Sequence, residues 1–371
     1  MSLTIPYVDV ALQHSTIKQE LLAAVGEVID SGHFILGEQV AEFEARFAKL
    51  CGVRYAVGVN SGTDALIFAL RALNIGPGDE VITAPNSFVA STGCIRIVGA
   101  TPVFVDVGDD YNIDVSKIRA AIGPKTKAIL PVHLTGRACD MDAILGIARE
   151  FGISVVEDCA QAILAGYRGR KVGAFGEIGC FSLHPLKTLN ACGDGGMLTT
   201  NSRELYEQLL IMRNLGLRTR DDCIMWSTNS RLDTIQAAML LVKLNYLEGW
   251  TSRRRENAGL YRQRLQTIAE IRLPPPENEH ERAVYHTFVV RAERRDELRA
   301  FLTSRGIGSN IHYPVPIHMT AAGRELGYSP GSLPVTETQA KEILSLPVYP
   351  ELNEAKIDLV CEHIKSFYAA A

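Results

Sequence analysis

The chain has 371 residues, of which 47% are hydrophobic, and its 42 acidic and 38 basic side chains give a formal net charge of −4. This length and apolar content predict a globular protein with a large core, and the interspersed charges offer neither a basic face for nucleic acid nor a polybasic patch for a membrane. No run approaches the roughly 18 apolar residues of a membrane span, and the first residues do not resemble a signal peptide, so we expect a cytoplasmic location.

Short β-type runs alternate with helical stretches from residue 55 onward, which predicts an α/β fold in which helices cover a mostly parallel sheet. The predicted strands are residues 55–59, 80–84, 102–106, 128–132 and 153–157, and the predicted helices between them are 63–73, 88–98 and 140–150. Two further helices are predicted before the sheet, near 16–30 and 38–50. Ligands of such sheets gather at the carboxyl ends of the strands.

The pattern changes in the C-terminal part of the chain. A long helical pattern follows Asn229 and becomes charged at 253–256, where consecutive arginines are interpreted as a solvated face. Three prolines at 274–276 mark a loop or linker. The later predicted elements are a strand at 287–290 and helices at 295–305 and 354–367. We therefore expect a large α/β domain over residues 1–250, including the N-terminal helices, and a small α+β domain over residues 251–371.

The eight cysteines contain no CxxC pair and no metal-type cluster with the nine histidines. No metal site is therefore expected, and the cysteines are interpreted as reduced core residues. For Cys159 and Cys192, which lie within the motifs described next, reactivity is the alternative to a role as small apolar filling.

One lysine and its neighbouring motifs indicate a cofactor. Lys187 ends the run 181–187 and is followed by the glycine-rich segment 193–196, while Glu157 and Asp158 come at the end of an apolar strand upstream. A lysine can form a Schiff base with an aldehyde cofactor, and an acid at the end of a buried strand can pair with a protonated pyridine nitrogen, as pyridoxal 5'-phosphate requires. An ordinary surface lysine is the alternative, and Glu157 is interpreted as facing solvent or capping a neighbour.

A second motif indicates a phosphate site. Residues 60–64 follow a predicted strand and open a predicted helix, so the backbone N–H groups of Gly62 and Thr63 would point at an anion. The hydroxyl of Ser182 could donate to the same phosphate. The alternative is that Ser61 simply caps the helix.

Two further side chains are candidates for contacts with the cofactor ring. Phe88 follows the predicted strand 80–84, and its aromatic face could stack on the ring, with a core position as the alternative. Gln161 lies three residues after Asp158 and could hydrogen-bond the ring hydroxyl, with a structural amide contact as the alternative.

Six segments, in this order, resemble the sugar aminotransferases of the DegT/DnrJ/EryC1/StrS type, within the aspartate aminotransferase superfamily. They are residues 31–37, 60–66, 157–161, 181–187, 229–238 and 311–318. The resemblance implies a pyridoxal phosphate-dependent transferase of fold type I, with a mostly parallel central sheet and a smaller C-terminal α+β domain. It also implies that an amino group moves from L-glutamate to a keto group of a nucleotide-linked sugar.

The resemblance implies a role for each residue of the cofactor site. The matching positions are Gly62, Thr63, Phe88, Asp158, Gln161, Ser182, Lys187 and Asn229. Lys187 and Asp158 would be the catalytic pair, with Lys187 forming the Schiff base and Asp158 contacting the pyridine nitrogen. The resemblance further implies a homodimer with shared active sites, in which Asn229 of one chain contacts the phosphate that the other chain holds.

The sugar pocket is less clearly marked by the sequence. His184, His312 and Tyr313 are candidates for it, with a structural role as the alternative for each. Thr135 stands where an aromatic residue is common in the family, so it is expected to alter the pocket. The segment 229–233, together with His184 and the proline after it, looks more like members that act on 3-keto sugars, while 4-keto sugars and keto-inositol stay open.

Two other functions are weighed against transamination. Relatives that dehydrate or deoxygenate sugars carry histidine in place of the lysine, so Lys187 argues against that branch. A non-catalytic protein that binds cofactor or sugar as a regulator is the alternative from a different class. The absence of Lys187 or Asp158 would favour it, and both residues are present.

Overall fold

The computed structural model describes residues 3–369. Its helices are α1 (Val10–Ser15), α2 (Lys18–Ser31), α3 (Glu38–Cys51), α4 (Gly62–Ala72), α5 (Val89–Ile97), α6 (Val115–Ala121), α7 (Met141–Phe151), α8 (Arg203–Met212), α9 (Thr234–Leu244), α10 (Leu247–Leu265), α11 (Arg295–Ser304), α12 (Pro334–Glu342) and α13 (Glu354–Ala369). Its strands are β1 (Tyr55–Val59), β2 (Glu80–Thr83), β3 (Thr101–Phe104), β4 (Thr126–Leu130), β5 (Ser154–Asp158), β6 (Gly166–Tyr167), β7 (Arg170–Lys171), β8 (Ile178–Ser182), β9 (Gly196–Thr200), β10 (Leu217–Thr219), β11 (Asp222–Cys223), β12 (Ile271–Arg272), β13 (Glu281–Arg282), β14 (Phe288–Ala292) and β15 (Ile343–Leu346).

A seven-stranded sheet with the order β1-β9-β8-β5-β4-β2-β3 forms the centre of the fold. Only β9 runs antiparallel to its neighbours β1 and β8, so the prediction of a mostly parallel sheet is confirmed. Both faces of the sheet are covered, and for this reason its strands are buried along most of their length. Val155 and Val156 illustrate this arrangement, because successive residues of β5 belong to two separate hydrophobic clusters.

The carboxyl ends of the parallel strands bring the motifs of the sequence to one edge of the sheet. Segment 60–62 follows β1, Asp158 ends β5 and Ser182 ends β8. Lys187 lies in the connection from β8 to β9, and Phe88 follows β2 at the start of α5. This edge is where ligands of open α/β sheets bind.

The C-terminal part contains a separate antiparallel sheet with the order β12-β14-β15, against which α11 packs, while α10 and α13 pack together. This matches the predicted α+β character. Helix α10 runs continuously through residue 250, and β13 pairs with β6 from the large part of the chain. The domain division at residue 250 stays a prediction.

Two details of the C-terminal prediction need correction. The long helix after Asn229 is two helices, α9 and α10, separated at Asn245, whose side chain accepts a hydrogen bond from Arg46 on α3. The arginines at 253–255 do not share a solvated face, because each helical residue is rotated by about 100° from the last. Arg253 is exposed and pairs with a glutamate on its own helix, but Arg254 is only 5% exposed.

The cysteine prediction is correct for six of the eight residues, since all eight are free thiols but Cys192 and Cys223 are exposed. Cys192 lies in the loop between β8 and β9, and Cys223 lies in the short strand β11 of a two-stranded sheet. No helix within residues 3–369 has the length and apolar character needed to cross a bilayer.

Candidate active site

The loop between β1 and α4 forms an anion-binding cradle. Ser61 caps α4 by accepting a hydrogen bond from the backbone of Asp64 at 3.1 Å, while the N–H groups of Gly62 and Thr63 have no acceptor among residues 3–369. A Cβ atom at Gly62 would lie 2.7 Å from Cβ of Ser182, so only glycine lets the helix terminus approach that side chain so closely. Free N–H groups at a helix N-terminus beside a hydroxyl fit a phosphate.

Asp158 provides a buried negative charge at the same edge of the sheet. The residue is 3% exposed. Its Oδ1 accepts a hydrogen bond from the backbone of Ala160 at 3.0 Å, and its Oδ2 accepts one from Oγ of Ser91 at 2.7 Å. No Lys, Arg or His of the described chain lies within 4.0 Å of this carboxylate. A buried carboxylate without a protein cation fits the protonated nitrogen of a pyridine ring.

Lys187 lies in the turn that follows β8. Its backbone N–H donates to the carbonyl of His184 at 2.8 Å, and its own carbonyl accepts a hydrogen bond from Nδ2 of Asn190 at 3.2 Å. Burial lowers the pKa of its amine to about 8, against the opposing effect of the Asp158 charge. A larger fraction of this amine is therefore neutral near pH 7 than for an exposed lysine, and the neutral amine is the form that reacts with an aldehyde.

Phe88 and Gln161 lie where they can contact a ring held between Lys187 and Asp158. Phe88 is 54% exposed, so the alternative of a core position is wrong for it, and its ring centroid lies 5.8 Å from that of Tyr313. Oε1 of Gln161 accepts the backbone N–H of Thr135 at 2.8 Å. This contact fixes the amide, so that Nε2 remains as a donor and lies 3.4 Å from the Tyr313 hydroxyl.

The three candidates for the sugar pocket are close to this site. His184 is exposed in the Lys187 turn, and Nδ1 of His312 lies 2.9 Å from Oγ of Ser345. Burial, and then the charge of Lys187, lower the pKa of His312 to about 4. Burial, and then the charge of Asp158, raise the pKa of Tyr313 to about 12. His312 and Tyr313 are therefore neutral hydrogen-bonding groups at physiological pH.

Asn229 is not brought into the phosphate cradle of its own chain. The residue is exposed, and its side chain has no hydrogen-bond partner within the part of the chain that the structure describes. Its neighbour Ser230 is fully buried and accepts a hydrogen bond from the backbone of Asn60 at 3.2 Å. The Asn229 side chain is thus held at the surface near the loop that leads into the cradle.

Glu157 has a structural environment that the sequence did not indicate. It is fully buried, so the interpretation as a solvent-facing residue is wrong. Its carboxylate accepts the backbone N–H groups of Gly173, Phe175 and Gly176 at 2.8, 2.7 and 2.9 Å. Since residues alternate along a strand, the residue before Asp158 had to point to the opposite, covered face of the sheet.

A buried cluster continues from Glu157. Ligand atoms of His133, Glu157 and Cys159 lie within 4.8 Å of one another. Nδ1 of His133 accepts the backbone N–H of Cys139 at 3.0 Å, so Nε2 carries the proton and donates to Glu157 at 3.1 Å. Burial raises the pKa of the Cys159 thiol. With the carboxylate and the imidazole already engaged and the thiol protonated, this cluster anchors β5 within the protein.

Ser91 and Arg254 are functional candidates that the sequence did not indicate. Ser91 lies about one helical turn after Phe88 and therefore on the same side of the helix. Helical spacing from Phe88 could thus have indicated its contact with Asp158. Nothing in the sequence distinguished Arg254 from the exposed Arg253.

Comparisons with known proteins place the chain in a family. The model of the DegT/DnrJ/EryC1/StrS aminotransferase family matches residues 15–365. The chain belongs to this family. It is 42% identical over 368 residues to a "Pleiotropic regulatory protein" of Geobacillus stearothermophilus, with 99% of each chain covered. It is also 42% identical over 364 residues to the dTDP-3-amino-3,4,6-trideoxy-alpha-D-glucose transaminase of Streptomyces venezuelae, with 98% of this chain and 96% of the other covered.

Solved structures support the fold and the cofactor. The crystal structure of DesV from S. venezuelae, in complex with a ketimine intermediate, has a TM-score of 0.96 at 42% identity and covers 99% of both chains. The structure of NtdA from Bacillus subtilis with bound pyridoxamine phosphate has a TM-score of 0.91 at 30% identity and covers 99% of this chain and 85% of that one. The predictions of a fold type I, pyridoxal phosphate-dependent sugar aminotransferase are therefore confirmed.

Proposed function

We propose that the protein transfers an amino group from L-glutamate to the 3-keto group of a nucleotide-linked sugar. The observation that carries this proposal is the amine of Lys187, with its pKa near 8, placed together with the buried Asp158 at the edge of the sheet where Gly62 presents a free helix terminus. The name of the S. venezuelae relative, a transaminase of a 3-amino sugar, supports the 3-keto position. A 4-keto sugar and a keto-inositol remain the alternatives.

Bound pyridoxal phosphate supplies an aldehyde and a ring that accepts electrons from the substrate carbon that loses a proton. Gly62, Thr63 and Ser182 would bind the phosphate through N–H and O–H donors. Asp158 would keep the ring nitrogen protonated. Phe88 would cover one face of the ring, and Nε2 of Gln161 would donate a hydrogen bond to the ring hydroxyl.

Lys187 moves the proton in both half-reactions. Its free amine would take the α proton of the donor amino acid as a general base and return it as a general acid. Its pKa of about 8 suits both roles near neutral pH. Because the acceptor sugar reacts through the same residue in the reverse order, the kinetics should be ping-pong.

The active site is proposed to be shared between two copies of the chain, with Asn229 of one copy reaching the phosphate held by the other. Exposed apolar side chains close to Asn229 support this arrangement: Trp226 is 95% exposed and Ile224 is 45% exposed. A second copy covering this surface would also order the Asn229 side chain. Light scattering should therefore show a dimer that Trp226→Asp weakens together with cofactor affinity, whereas Leu359→Asp, at an exposed apolar position on α13, should change neither.

An absorbance experiment tests the transferase function. Purified protein with pyridoxal phosphate should be yellow, and L-glutamate should bleach the visible band while 2-oxoglutarate is released in equal amount. Colour without bleaching by any amino donor would favour the second candidate, a non-catalytic regulator. The name of the G. stearothermophilus relative is the specific observation that keeps this candidate in view.

The acceptor needs a separate assay. A panel of nucleotide-linked 3-keto and 4-keto sugars, generated in place by their dehydratases or dehydrogenases, should be offered to the glutamate-treated enzyme. We expect the visible band to return fastest with a 3-keto sugar. Faster recovery with a 4-keto sugar or a keto-inositol would move the assignment to that class. The cytoplasmic location also stays a prediction, which the eight free thiols support.

A further inference from the structure

A small cavity lies beside the Lys187 turn, outside the cofactor contacts described above. Its volume is about 40 Å³. The polar side chains around it are Tyr7, Arg254, His286, His312 and Tyr349, and Leu186 lines it on the side of the turn. A volume of this size holds a carboxylate group or a few water molecules, but neither a sugar ring nor a nucleotide.

Three buried polar atoms of the lining have no hydrogen-bond partner within residues 3–369. They are Nε of Arg254, Nδ1 of His286 and the hydroxyl of Tyr349. Buried polar groups are almost always paired with protein or bound ligand, so three unpaired atoms around one cavity indicate that something polar occupies it. Donors predominate in this set, because Arg254 can only donate and a tyrosine hydroxyl can donate. The lining therefore fits an acceptor.

The charge of the lining also favours an anion. Arg254 is 5% exposed, has no carboxylate within 4.0 Å among the described residues, and makes only long hydrogen bonds, at 3.4 and 3.3 Å, to the carbonyls of Tyr285 and His286. Burial lowers the pKa of Arg254 to about 10, against the smaller opposing effects of Tyr7 and then Glu351. The pKa of His286 is lowered by burial and by the charges of Lys187 and Arg254. Arg254 and two neutral imidazoles thus line the cavity, and no carboxylate is among its lining residues.

We propose that this cavity binds a carboxylate of the amino donor, with Arg254 as the charged partner and the Tyr349 hydroxyl as a second donor. The inference rests on the proposed function, because it assumes that an amino acid reacts next to Lys187. The cavity lies beside the residue that precedes Lys187, and His312 borders both the cavity and the proposed sugar pocket. Because the cavity is too small for a sugar ring, we expect Arg254 to act on donor affinity and not on the acceptor sugar.

The test separates the two half-reactions. Single-turnover absorbance measures the reaction of the pyridoxal form with L-glutamate and the reaction of the pyridoxamine form with the keto sugar. Arg254→Gln should weaken the apparent affinity for glutamate by about tenfold or more, the usual scale for a lost charge-assisted hydrogen bond, and leave the sugar half-reaction within about twofold. Tyr349→Phe, which keeps the ring, should give a smaller loss in the same direction.

The control is Arg253→Gln, one residue away on α10, where the exposed side chain pairs with Glu256. It should leave both half-reactions unchanged. If Arg254→Gln and Tyr349→Phe slow both half-reactions equally, or change neither, the cavity is a structural or water-filled space and the proposal is wrong. If Arg254→Gln does not fold, the Tyr349→Phe result decides in the same way.

Direct binding distinguishes failure of this inference from failure of the proposed function. Glutarate carries the carboxylates of glutamate without its amine and can be titrated calorimetrically into the enzyme that contains pyridoxal phosphate. The wild type should bind glutarate, and Arg254→Gln should bind it at least about tenfold more weakly. Binding that survives Arg254→Gln overturns the carboxylate site even if transamination is found, whereas loss of binding supports it even if the acceptor assignment fails.

Discussion

The cofactor cradle and the substrate side of the active site are built in different ways. The cradle is formed by the ends of regular elements: Gly62 begins a helix, Asp158 ends β5 and Ser182 ends β8. The proposed substrate side is formed by irregular segments that carry His184 and His312, which lie far apart in the sequence. Since strand ends are fixed by the sheet, the cradle is set by the fold, whereas the proposed substrate side depends on loops.

Removing the Lys187 amine should have the largest effect on turnover. Lys187→Ala should lower turnover by about a thousandfold or more, because both the covalent link and the proton carrier are lost, while the cradle still binds pyridoxal phosphate. Steady-state rates and a cofactor titration measure the two properties. Lys365→Ala, on the exposed face of α13, is the control. Near-normal transamination by Lys187→Ala would contradict the assignment.

The adjacent carboxylates of β5 should give opposite phenotypes. Asp158→Asn should reduce turnover by roughly two to three orders of magnitude with little change in folding, because the ring nitrogen loses its charged partner. Glu157→Gln should instead lower the free energy of unfolding by about 2–3 kcal/mol, since the buried carboxylate accepts three backbone N–H groups. Urea unfolding and turnover should be measured on both variants. Lost stability with normal turnover in Asp158→Asn, or lost turnover with normal stability in Glu157→Gln, would contradict these roles.

The lowered pKa of Lys187 predicts a pH dependence. The rate at which the apoprotein combines with pyridoxal phosphate should rise about tenfold per pH unit below pH 8 and level off above it, because only the neutral amine attacks the aldehyde. The same shift means that the unfolded chain binds more protons between pH 8 and the ordinary pKa of 10.5, so this group adds stability as pH rises through that window. Stopped-flow absorbance from pH 6 to 10 tests the first statement. A rate that still rises steeply at pH 10 would show an unperturbed lysine.

Gly62→Ala should give the smallest of these effects. The added Cβ would lie 2.7 Å from Cβ of Ser182, so the helix terminus must move away and cofactor affinity should fall by about tenfold. Gly26→Ala on α2 is the matched control, since nothing lies within 4 Å of a Cβ there, and it should stabilise the protein by about 0.5–1 kcal/mol. Equal cofactor affinity in both variants would show that the close approach at Gly62 does not matter.

The difference between strand ends and loops explains how much of the fold and site could be predicted from the sequence. The alternation of strands and helices fixes which strand ends share an edge, so the sequence alone suffices to place Lys187, Asp158 and Gly62 together. The antiparallel course of β9 could not be predicted, because a strand that is buried on both faces lacks the alternation of buried and exposed residues typical of antiparallel strands. The run of arginines predicts a solvated face that includes Arg254. Only the packing of α10 against the C-terminal strands shows that Arg254, unlike Arg253, is buried.

The partners of Glu157 and the surface position of Asn229 depend on long-range contacts. The backbone N–H groups that donate to Glu157 belong to Gly173, Phe175 and Gly176, in a loop with no marked sequence pattern. The burial of this carboxylate could therefore be recognised only from the alternation along β5. Asn229 faces outward and its side chain makes no hydrogen bond within residues 3–369, so the contact proposed for it with a second copy cannot be read from the chain itself. The strands and their carboxyl ends were therefore predicted from the local pattern, contacts made through distant packing were not, and the roles of the site residues stay predictions.

The most direct test of the Lys187 assignment is to reduce the yellow protein with borohydride and map the labelled peptide by mass spectrometry. We expect a single pyridoxyl group on the amine of Lys187, and none after the protein has been converted by L-glutamate. A label on another lysine, or no label on a protein that turns over, would contradict the assignment.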